Sequence, residues 1–387
     1  MVDTTTVDDL VIISSPEEAG MDASRWSQVL HLAQRLSQTV LPGLAFQVTV
    51  RGKTAGEYQF GRQASSPSSR PLSAHSIFLS ASLTKPVVAM GVLRLVERGL
   101  ISLSDPVVDY LPQITDPGKK GLTIRHLLTH TSGLPDQLLN NRALRMTRSP
   151  LQRFVDGACT VSLDFPPGRG VQYQSMGFVL LGAIMEAVTQ IPLPRLLHQE
   201  LFQPLRMKDT VLGATDDWLE AEERQSRLAQ VVPPDEQQGG DDWNWNSRYW
   251  HQLGAPWGGM LTTTTDMILF SQMMLDGGAS GLNRVFSNAT IQAATTNQLA
   301  SYPDLPEADR RCRPWGLGWR MNWPTHTTSF GDLLSQRAYG HWGATGTLHW
   351  IDPERQAAAV LLSTLPLDKG SGPALTRLSN AIVSAIR

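Results

Sequence analysis

The sequence predicts an α/β (α+β) protein in which an antiparallel sheet flanked by helices is joined to a mostly helical domain. Strand-like patterns lie at both ends of the chain, in about 1–80 and 310–387, whereas 81–309 shows helical patches between loops rich in proline and glycine. With 387 residues and a hydrophobic share of 41%, the chain can bury a sizeable core. We therefore expect one unit over 1–387, with a sheet-containing lobe built from both ends and a helical lobe from 81–309.

The first elements along the chain are a helix and a β-hairpin. The segment 22–37 carries apolar side chains at helical spacing, and Asp22 is placed to cap its N-terminus. The apolar period then changes to two, as expected of a strand, at Leu44, Phe46, Val48 and Val50. A turn at 51–53 leads into a second strand over 57–60, which completes the hairpin.

The rest of the chain predicts helices, one long loop and a second hairpin. A helix over 85–98 would end at Gly99, and the apolar run 176–185 is too short to span a bilayer, so it predicts a core helix. The polar span 233–246 contains tryptophans and predicts a long surface loop that could act as a lid. The C-terminal part predicts two hairpin strands and a closing helix, over 346–351, 357–362 and 375–386.

The composition excludes several classes of function. A net charge of -2 gives no reason to expect a nucleic acid as partner. Two cysteines, Cys159 and Cys312, do not make a disulfide framework. The N-terminus lacks the basic and apolar regions of a secretory signal, so we expect a cytoplasmic protein without a membrane partner. The oligomeric state cannot be read from the sequence.

The main chemical pattern is Ser82-Leu83-Thr84-Lys85 at a predicted helix start. Residues three apart on a helix have Cβ atoms about 5–6 Å apart, so the amine of Lys85 can reach the hydroxyl of Ser82. A serine attacks well only when a base takes its proton, and a lysine serves as that base only when neutral. Lowering a lysine pKa to about 7–8 costs roughly 4 kcal/mol, which burial and nearby cations can supply. Taken alone, the pattern more often marks a helix start with a surface lysine.

Several segments resemble, in order, the motifs of the class C β-lactamase and family VIII carboxylesterase superfamily, to which penicillin-binding proteins are related. The matching segments are Ser82-Leu83-Thr84-Lys85-Pro86, 122–134, 165–168, 173–182, 205–210, 258–267 and His341-Trp342-Gly343. Together they span about 15–387, far more than one chance match would cover. The resemblance implies a β-lactamase/transpeptidase-like fold whose site lies in the cleft between the sheet and the helical domain.

The second motif begins at Tyr173, which the resemblance places beside Ser82. A phenol there can pass protons between the nucleophile, the leaving group and a water, and we expect Lys85 to favour its phenolate form. The alternative is an ordinary buried tyrosine at the start of a core helix. Many family members carry asparagine where this chain has Ser175. Because serine is shorter and offers fewer hydrogen bonds than an amide, recognition of amides or lactams is expected to be weaker.

The third motif departs from the Lys-Thr-Gly of β-lactamases and is similar to the His-x-Gly of esterases and D-aminopeptidase-like relatives. His341 is only partly charged near neutral pH, so it should bind a β-lactam carboxylate weakly. Gly343 would let the substrate pass close to the strand edge. The resemblance implies that the backbone N–H groups of Ser82 and Ala344 form an oxyanion hole. The alternative for His341 is a strand histidine bonded to a neighbour.

Two further features, a pair of histidines and a cluster of tryptophans, have both a functional and a structural explanation. His126 and His130 are four residues apart and could offer a metal two ligands, but no third ligand is evident, so we expect no metal. Four tryptophans within 243–257 either line an acyl pocket or anchor a loop. The chain has no Gly-x-Ser-x-Gly, His-Glu-x-x-His or Walker motif, which argues against α/β-hydrolases, zincins and P-loop enzymes.

These observations predict a serine hydrolase that forms an acyl-enzyme with a small-molecule ester or amide and needs no cofactor. The leading hypothesis is a carboxylesterase acting on short or medium acyl esters. The alternatives are a β-lactamase, a D-Ala-D-Ala-type carboxypeptidase or D-aminopeptidase, and a non-catalytic penicillin-binding-like scaffold. The candidate catalytic residues are Ser82, Lys85 and Tyr173, and the candidate oxyanion and substrate-binding residues are Ser175, His341, Gly343 and Ala344.

Overall fold

The computed structural model describes residues 11–323 and 330–387. In these ranges the strands are β1 Ile12–Ile13, β2 Gly43–Val50, β3 Lys53–Gly61, β4 Phe78–Leu79, β5 Val211–Leu212, β6 Met260–Thr262, β7 Ala279–Ser280, β8 Asn283–Arg284, β9 Arg320–Met321, β10 Tyr339–Gly343, β11 Thr347–Asp352 and β12 Ala357–Ser363. The α-helices are α1 Ala23–Thr39, α2 Thr84–Glu97, α3 Val107–Tyr110, α4 Ile124–Leu128, α5 Asn141–Met146, α6 Leu151–Thr160, α7 Met176–Thr189, α8 Leu193–Leu197, α9 Asp216–Glu220, α10 Glu222–Gln225, α11 Arg248–Leu253, α12 Thr264–Leu275, α13 Asn288–Ala294, α14 Glu307–Cys312 and α15 Ser371–Ala385.

The main sheet has seven strands in the order β1-β3-β2-β12-β11-β10-β9. β2 and β12 pair antiparallel and join the hairpin near the N-terminus to the hairpin near the C-terminus, which confirms a sheet built from both parts of the chain. One detail of the prediction is wrong, because β1 pairs with β3 in parallel. The helix α1 between β1 and β2 reverses the chain, so the edge strand β1 runs in the same direction as β3.

The first predicted elements are confirmed, and local chemistry accounts for both. α1 begins after Asp22, whose side chain accepts a hydrogen bond from the backbone N–H of Arg25. The turn between β2 and β3 places Arg51 and Gly52 at φ of +50° and +78°. Two such left-handed positions match the right-handed twist of the flanking strands, so the turn closes a tight hairpin.

Alternation along β2 and β12 gives the main sheet two buried faces. One face packs against α1 and α15 through Leu44, Phe46, Val48, Ala357, Ala359 and Leu361. The other face belongs to the core of the helical region through Ala45, Ala358, Val360 and Leu362. α12 covers this second face although it comes from the middle of the chain. The boundaries of the two lobes therefore stay a prediction.

α2 and α7 form the centre of the helical region, and the helices predicted over 85–98 and 176–185 are confirmed. Both are buried on almost every side in their first halves, as expected of central helices. Pro86 lies in the first turn of α2, where no backbone N–H has an intrahelical partner, so it removes no helical bond. Among the described residues, no single helix is long and apolar enough to cross a membrane, and α7 with Leu193–Phe202 meets that criterion only as a pair bent by 81°.

The span 233–246 was expected to be a surface loop, but part of it is buried. Gln237, Trp243 and Asn244 are buried. The side chain of Asn246 donates to and accepts from the backbone of Val231, at 2.8 Å in both directions. This packing turns part of the span into a wall of the cleft described below.

Candidate active site

Ser82 lies in a single turn of 3-10 helix, Ala81–Leu83, directly before α2. The preceding residue, Ala81, has a φ of +47°, a left-handed conformation that is unfavourable for alanine. The hydroxyl of Thr84 holds the turn, because it donates to the carbonyl of Ala81 at 2.6 Å and accepts from the N–H of Met260 at 3.1 Å. A strained turn that is fixed by its surroundings is typical of a functional site.

Lys85 is fully buried on the first turn of α2, beside Ser82. Its Nζ donates to the Ser82 hydroxyl at 3.0 Å and to the carbonyl of Trp257 at 2.8 Å. Burial lowers the pKa of Lys85 to about 7, while the charge of Asp136 acts in the opposite direction. Much of the lysine is therefore neutral near pH 7, the state in which an amine can take the proton of a hydroxyl.

Tyr173 contacts both members of this pair. Its phenol hydrogen-bonds with the Ser82 side chain, and Nζ of Lys85 lies 4.8 Å from the centre of its ring. The expectation of a favoured phenolate is wrong, because burial and then the charge of Asp136 raise the pKa of Tyr173. The hydrogen bond with Ser82 and the charge of Arg320 act in the opposite direction and do not offset these two effects. The phenol therefore keeps its proton and can donate it to a leaving group.

Ser175 and Asp136 form a polar pair next to Tyr173. The Ser175 hydroxyl donates to Oδ1 of Asp136 at 2.7 Å, so it is turned towards the carboxylate. Asp136 was not among the residues predicted from the sequence. It stands two residues after the 122–134 signature, and no spacing rule marks it as different from an ordinary loop aspartate.

β10 runs beside the turn that carries Ser82, and two threonines that follow β10, one in the turn to β11 and one at the start of β11, hold this approach. Thr347 donates to the carbonyl of Ser80 at 2.9 Å, and Thr345 donates to the carbonyl of Leu79 at 2.8 Å. A Cβ on Gly343 would lie only 2.3 Å from the Ser80 carbonyl oxygen, so this close approach requires glycine. Ala344 follows immediately and lines the cleft next to Ser82.

His341 is uncharged in the structure, rather than partly charged as expected. Burial, and then the positive charge of Lys85, lower the pKa of His341 to about 3. Its Nδ1 lies 2.7 Å from the carbonyl oxygen of Trp342, so this nitrogen carries the proton and Nε2 is left as an acceptor. Nε2 is buried and has no hydrogen-bond partner among the described residues. His341 therefore offers no cation for a substrate carboxylate.

The cleft has two cavities that meet at Ser82, Tyr173 and Ala344. The arginine-side cavity, of about 610 Å³, is lined mainly by Val171, Gln172, Arg313, Trp315, Arg320, Trp323, His341, Trp342 and Leu367. The tryptophan-side cavity, of about 330 Å³, includes Asp136, Ser175, Trp243, Trp245, Trp250 and Trp257 in its walls. Of the two readings of the tryptophan cluster, the structure supports a pocket wall.

Arg320 in the arginine-side cavity is a second functional candidate that sequence reasoning missed. Its guanidinium lies 4.0 Å from the ring centre of Trp323, and the side chain is almost completely buried. Nε and Nη2 have no hydrogen-bond partner in the part of the chain that the structure describes. Burial lowers the pKa of Arg320 to about 9, opposed by the nearby phenol of Tyr173. An arginine on a two-residue strand gives no sequence signal of this kind.

The two histidines considered as metal ligands have structural roles. His126 completes a capping box with Thr123 at the start of α4. His130 lies beyond the end of that helix at a φ of +58°, so the two do not share a helical turn, and its Nδ1 accepts from the N–H of Gln174 at 3.1 Å. Among the described residues, no group of three or more His, Cys, Asp or Glu side chains could hold a metal ion.

Comparison with known proteins agrees with this architecture. A chain from Salmonella typhi named "Putative D-alanyl-D-alanine carboxypeptidase" is 30% identical over 313 residues, which is 76% of this chain and 69% of that protein. A penicillin-binding protein homologue from Caulobacter crescentus has a TM-score of 0.75 at 21% identity, covering 95% of this chain and 99% of its own. A family VIII carboxylesterase has a TM-score of 0.72 at 19% identity, covering 93% and 98%.

At these identities, the two solved structures establish likeness of fold. The family comparison shows more than the fold, because the model of the family described as "Beta-lactamase" matches residues 29–382, which is most of the chain. This range contains the strained turn of Ser82, the helix of Lys85, the second motif at Tyr173 and the strand of His341. The protein is therefore a serine hydrolase that belongs to the Beta-lactamase family.

Proposed function

We propose that this protein is a carboxylesterase that hydrolyses short or medium acyl esters through an acyl-enzyme on Ser82. The observation that carries the proposal is the hydrogen-bonded cluster of Ser82, Lys85 and Tyr173 at the meeting point of two cavities. One cavity can hold the acyl group and the other the leaving group. A volume of about 330 Å³ on the tryptophan side suits an acyl group of modest size.

The first step of the proposed mechanism forms the acyl-enzyme. Neutral Lys85 takes the proton of Ser82 while the serine oxygen attacks the carbonyl carbon. The N–H groups of Ser82 and Ala344 hold the oxyanion that develops. The carbon–oxygen bond of the ester then breaks, and the phenol of Tyr173 gives its proton to the departing alkoxide while the Lys85 ammonium returns a proton to the phenolate.

The second step releases the acid. A water takes the place of the leaving group, and the Tyr173–Lys85 pair accepts one of its protons as the water oxygen attacks the acyl carbon. The bond to Ser82 breaks, and the serine oxygen takes a proton back. Each group ends in the protonation state in which it began, so the cycle needs no further reactant.

Two features favour esters over β-lactams. His341 is neutral, so the third motif provides no fixed positive charge for a lactam carboxylate. The Ser175 hydroxyl donates to Asp136, and a serine has no side-chain amide that could hydrogen-bond to an amide in the acyl part of a lactam. An ester requires neither contact.

A carboxypeptidase acting at a C-terminal residue is the second candidate, and Arg320 favours it. A buried guanidinium, two of whose nitrogens have no hydrogen-bond partner within residues 11–323 and 330–387, could bind the carboxylate of a peptide leaving group. The Salmonella relative bears a carboxypeptidase name, which supports the same candidate. In this case the scissile bond would be an amide, with the same roles for Ser82, Lys85 and Tyr173.

The experiment combines covalent labelling with a substrate panel. A fluorophosphonate probe should add to Ser82, as detected by peptide mass spectrometry, and Ser82→Ala should show no adduct. The panel contains p-nitrophenyl esters of increasing acyl length, nitrocefin and a peptide ending in D-Ala-D-Ala. We expect the short or medium esters to give the highest kcat/KM. Faster turnover of nitrocefin or of the peptide would replace the esterase assignment, and no adduct on Ser82 would favour a non-catalytic scaffold.

A further inference from the structure

His130 binds the chain on both sides of Tyr173, although it lies 43 residues earlier in the sequence. Its carbonyl oxygen accepts from the backbone N–H of Gln172 at 3.0 Å, and its Nδ1 accepts from the backbone N–H of Gln174 at 3.1 Å. Its ring also contacts the phenol, with the two ring centres 4.9 Å apart. One residue therefore fixes the backbone before and after Tyr173 and packs against its side chain.

Two features of His130 are unfavourable for stability. Its φ of +58° is a left-handed conformation that is uncommon for residues other than glycine. Because Nδ1 accepts from a backbone N–H, the ring proton is on Nε2, and this buried Nε2 has no hydrogen-bond partner within the described ranges. A residue that is kept in such a conformation with an unpaired buried donor is typical of a functional position.

His130 remains neutral while the catalytic groups exchange protons. Burial, and then the positive charges of Lys85 and His341, lower the pKa of His130. The pKa of Lys85 is about 7, so Nδ1 of His130 stays an acceptor across the pH range in which Lys85 titrates. The bond to the N–H of Gln174 is therefore kept whether Lys85 is charged or neutral.

His130 acts through Tyr173 and does not contact the substrate. It is completely buried and lines neither of the two cavities of the cleft. Its ring packs against Trp315, a wall residue of the arginine-side cavity, with ring centres 4.1 Å apart. The rings of Tyr173 and Trp315 also contact each other, at 6.2 Å. A shift of the imidazole therefore changes the packing of the phenol directly.

We propose that His130 is the positioning residue of Tyr173, which keeps the phenol at the place where it can give its proton to the leaving group. The proposal rests on the proposed function, in which Tyr173 protonates the departing alkoxide. Proton transfer of this kind depends steeply on the distance between donor and acceptor, so a small displacement of the phenol is costly.

The test compares two esters of the same acid, methyl butyrate and p-nitrophenyl butyrate. Methoxide needs a proton as it departs, whereas p-nitrophenolate leaves as a stable anion, so only the methyl ester depends on a well-placed phenol. A displaced phenol should therefore lower kcat/KM for the methyl ester alone. A general loss of folded enzyme lowers kcat/KM for both esters by the same factor, which the ratio of the two does not register.

Three variants separate the acceptor from the ring and from general stability. His130→Phe keeps a ring and removes Nδ1, and kcat/KM for methyl butyrate should fall by about 10–100-fold. The value for p-nitrophenyl butyrate should change less than about threefold, since its leaving group needs no acid. His130→Asn should recover most of the loss, because its amide oxygen can accept from Gln174 and asparagine tolerates a positive φ. The matched control is His126→Phe, which loses the capping box of α4 and should leave the ratio of the two esters unchanged.

A double variant tests whether the effect passes through the phenol. Tyr173→Phe should show the same selective loss for methyl butyrate, and adding His130→Phe to it should lower that rate no further. His130→Ala, which also removes the acceptor, gives the same comparison if His130→Phe does not fold.

The outcomes separate this proposal from the proposed function. An equal loss for both esters in His130→Phe, or a further loss when it is added to Tyr173→Phe, would overturn the positioning role and leave the esterase intact. No hydrolysis of either ester by the wild type, with no fluorophosphonate adduct on Ser82, would overturn the proposed function and this proposal with it.

Discussion

Lys85 and Lys119 are two fully buried lysines whose surroundings differ in one decisive way. Lys119, in the turn Pro117–Lys119, donates from Nζ to the carbonyls of Ala158 and Cys159 at 3.3 and 2.8 Å. These carbonyls lie in the last turn of α6, where helical partners are missing and a cation is favourable. Lys85 also donates to a carbonyl, but its other partner is the hydroxyl of Ser82 at the cleft.

The comparison shows that burial of a lysine does not by itself make it a catalytic base. Burial lowers the pKa of both lysines, so a lowered pKa alone does not identify a base. A backbone carbonyl has no proton to give, whereas a serine hydroxyl has one. The presence of a proton-bearing partner next to a cavity therefore distinguishes a proposed catalytic lysine from one that caps a helix.

Replacing Lys85 should have the largest effect on activity. Lys85→Ala removes the proposed base, and kcat/KM for a p-nitrophenyl ester should fall by about 10²–10⁴-fold. The variant should remain soluble and folded, as measured by circular dichroism. Near-wild-type rates in this variant would contradict the proposed role of Lys85 as the base.

Replacing Lys119 should affect stability and leave kcat/KM unchanged. Lys119→Met leaves the terminal carbonyls of α6 without their donor, so the free energy of unfolding in urea should fall by about 1–3 kcal/mol. The buried thiol of Cys159 should react faster with iodoacetamide in this variant, because the end of α6 opens more often. Exposed Cys312 provides the internal reference for labelling. A loss of activity without loss of stability would break the proposed distinction between the two lysines.

The smallest effect concerns the pH dependence of activity. Since only neutral Lys85 is the base, kcat/KM should rise with pH through about 7. The charge of Asp136 raises the pKa of Lys85, so Asp136→Asn should move this rise to lower pH, by about one unit or less. Asp116 acts in the same direction on Lys119, and Asp116→Asn is the matched control that should leave the profile in place. Identical profiles for wild type and Asp136→Asn would contradict this coupling.

Much of the fold could be predicted from the sequence because it depends on local patterns. The capped helix after Asp22, the tight turn at Arg51 and Gly52 and the apolar run of α7 each follow from neighbouring residues. The parallel pairing of β1 and the position of α12 against the sheet could not be predicted in this way. They depend on where distant segments meet.

The sequence by itself determined that Ser82 and Lys85 share one side of a turn, since a spacing of three residues fixes that geometry. It also determined, through ordered motifs, the family to which the chain belongs. Only the tertiary structure decided the neutral state of His341, the raised pKa of Tyr173 and the places of Asp136 and Arg320. The physical reason is that protonation and cavity charge depend on burial and on groups far apart in the chain, which become neighbours only when the protein folds.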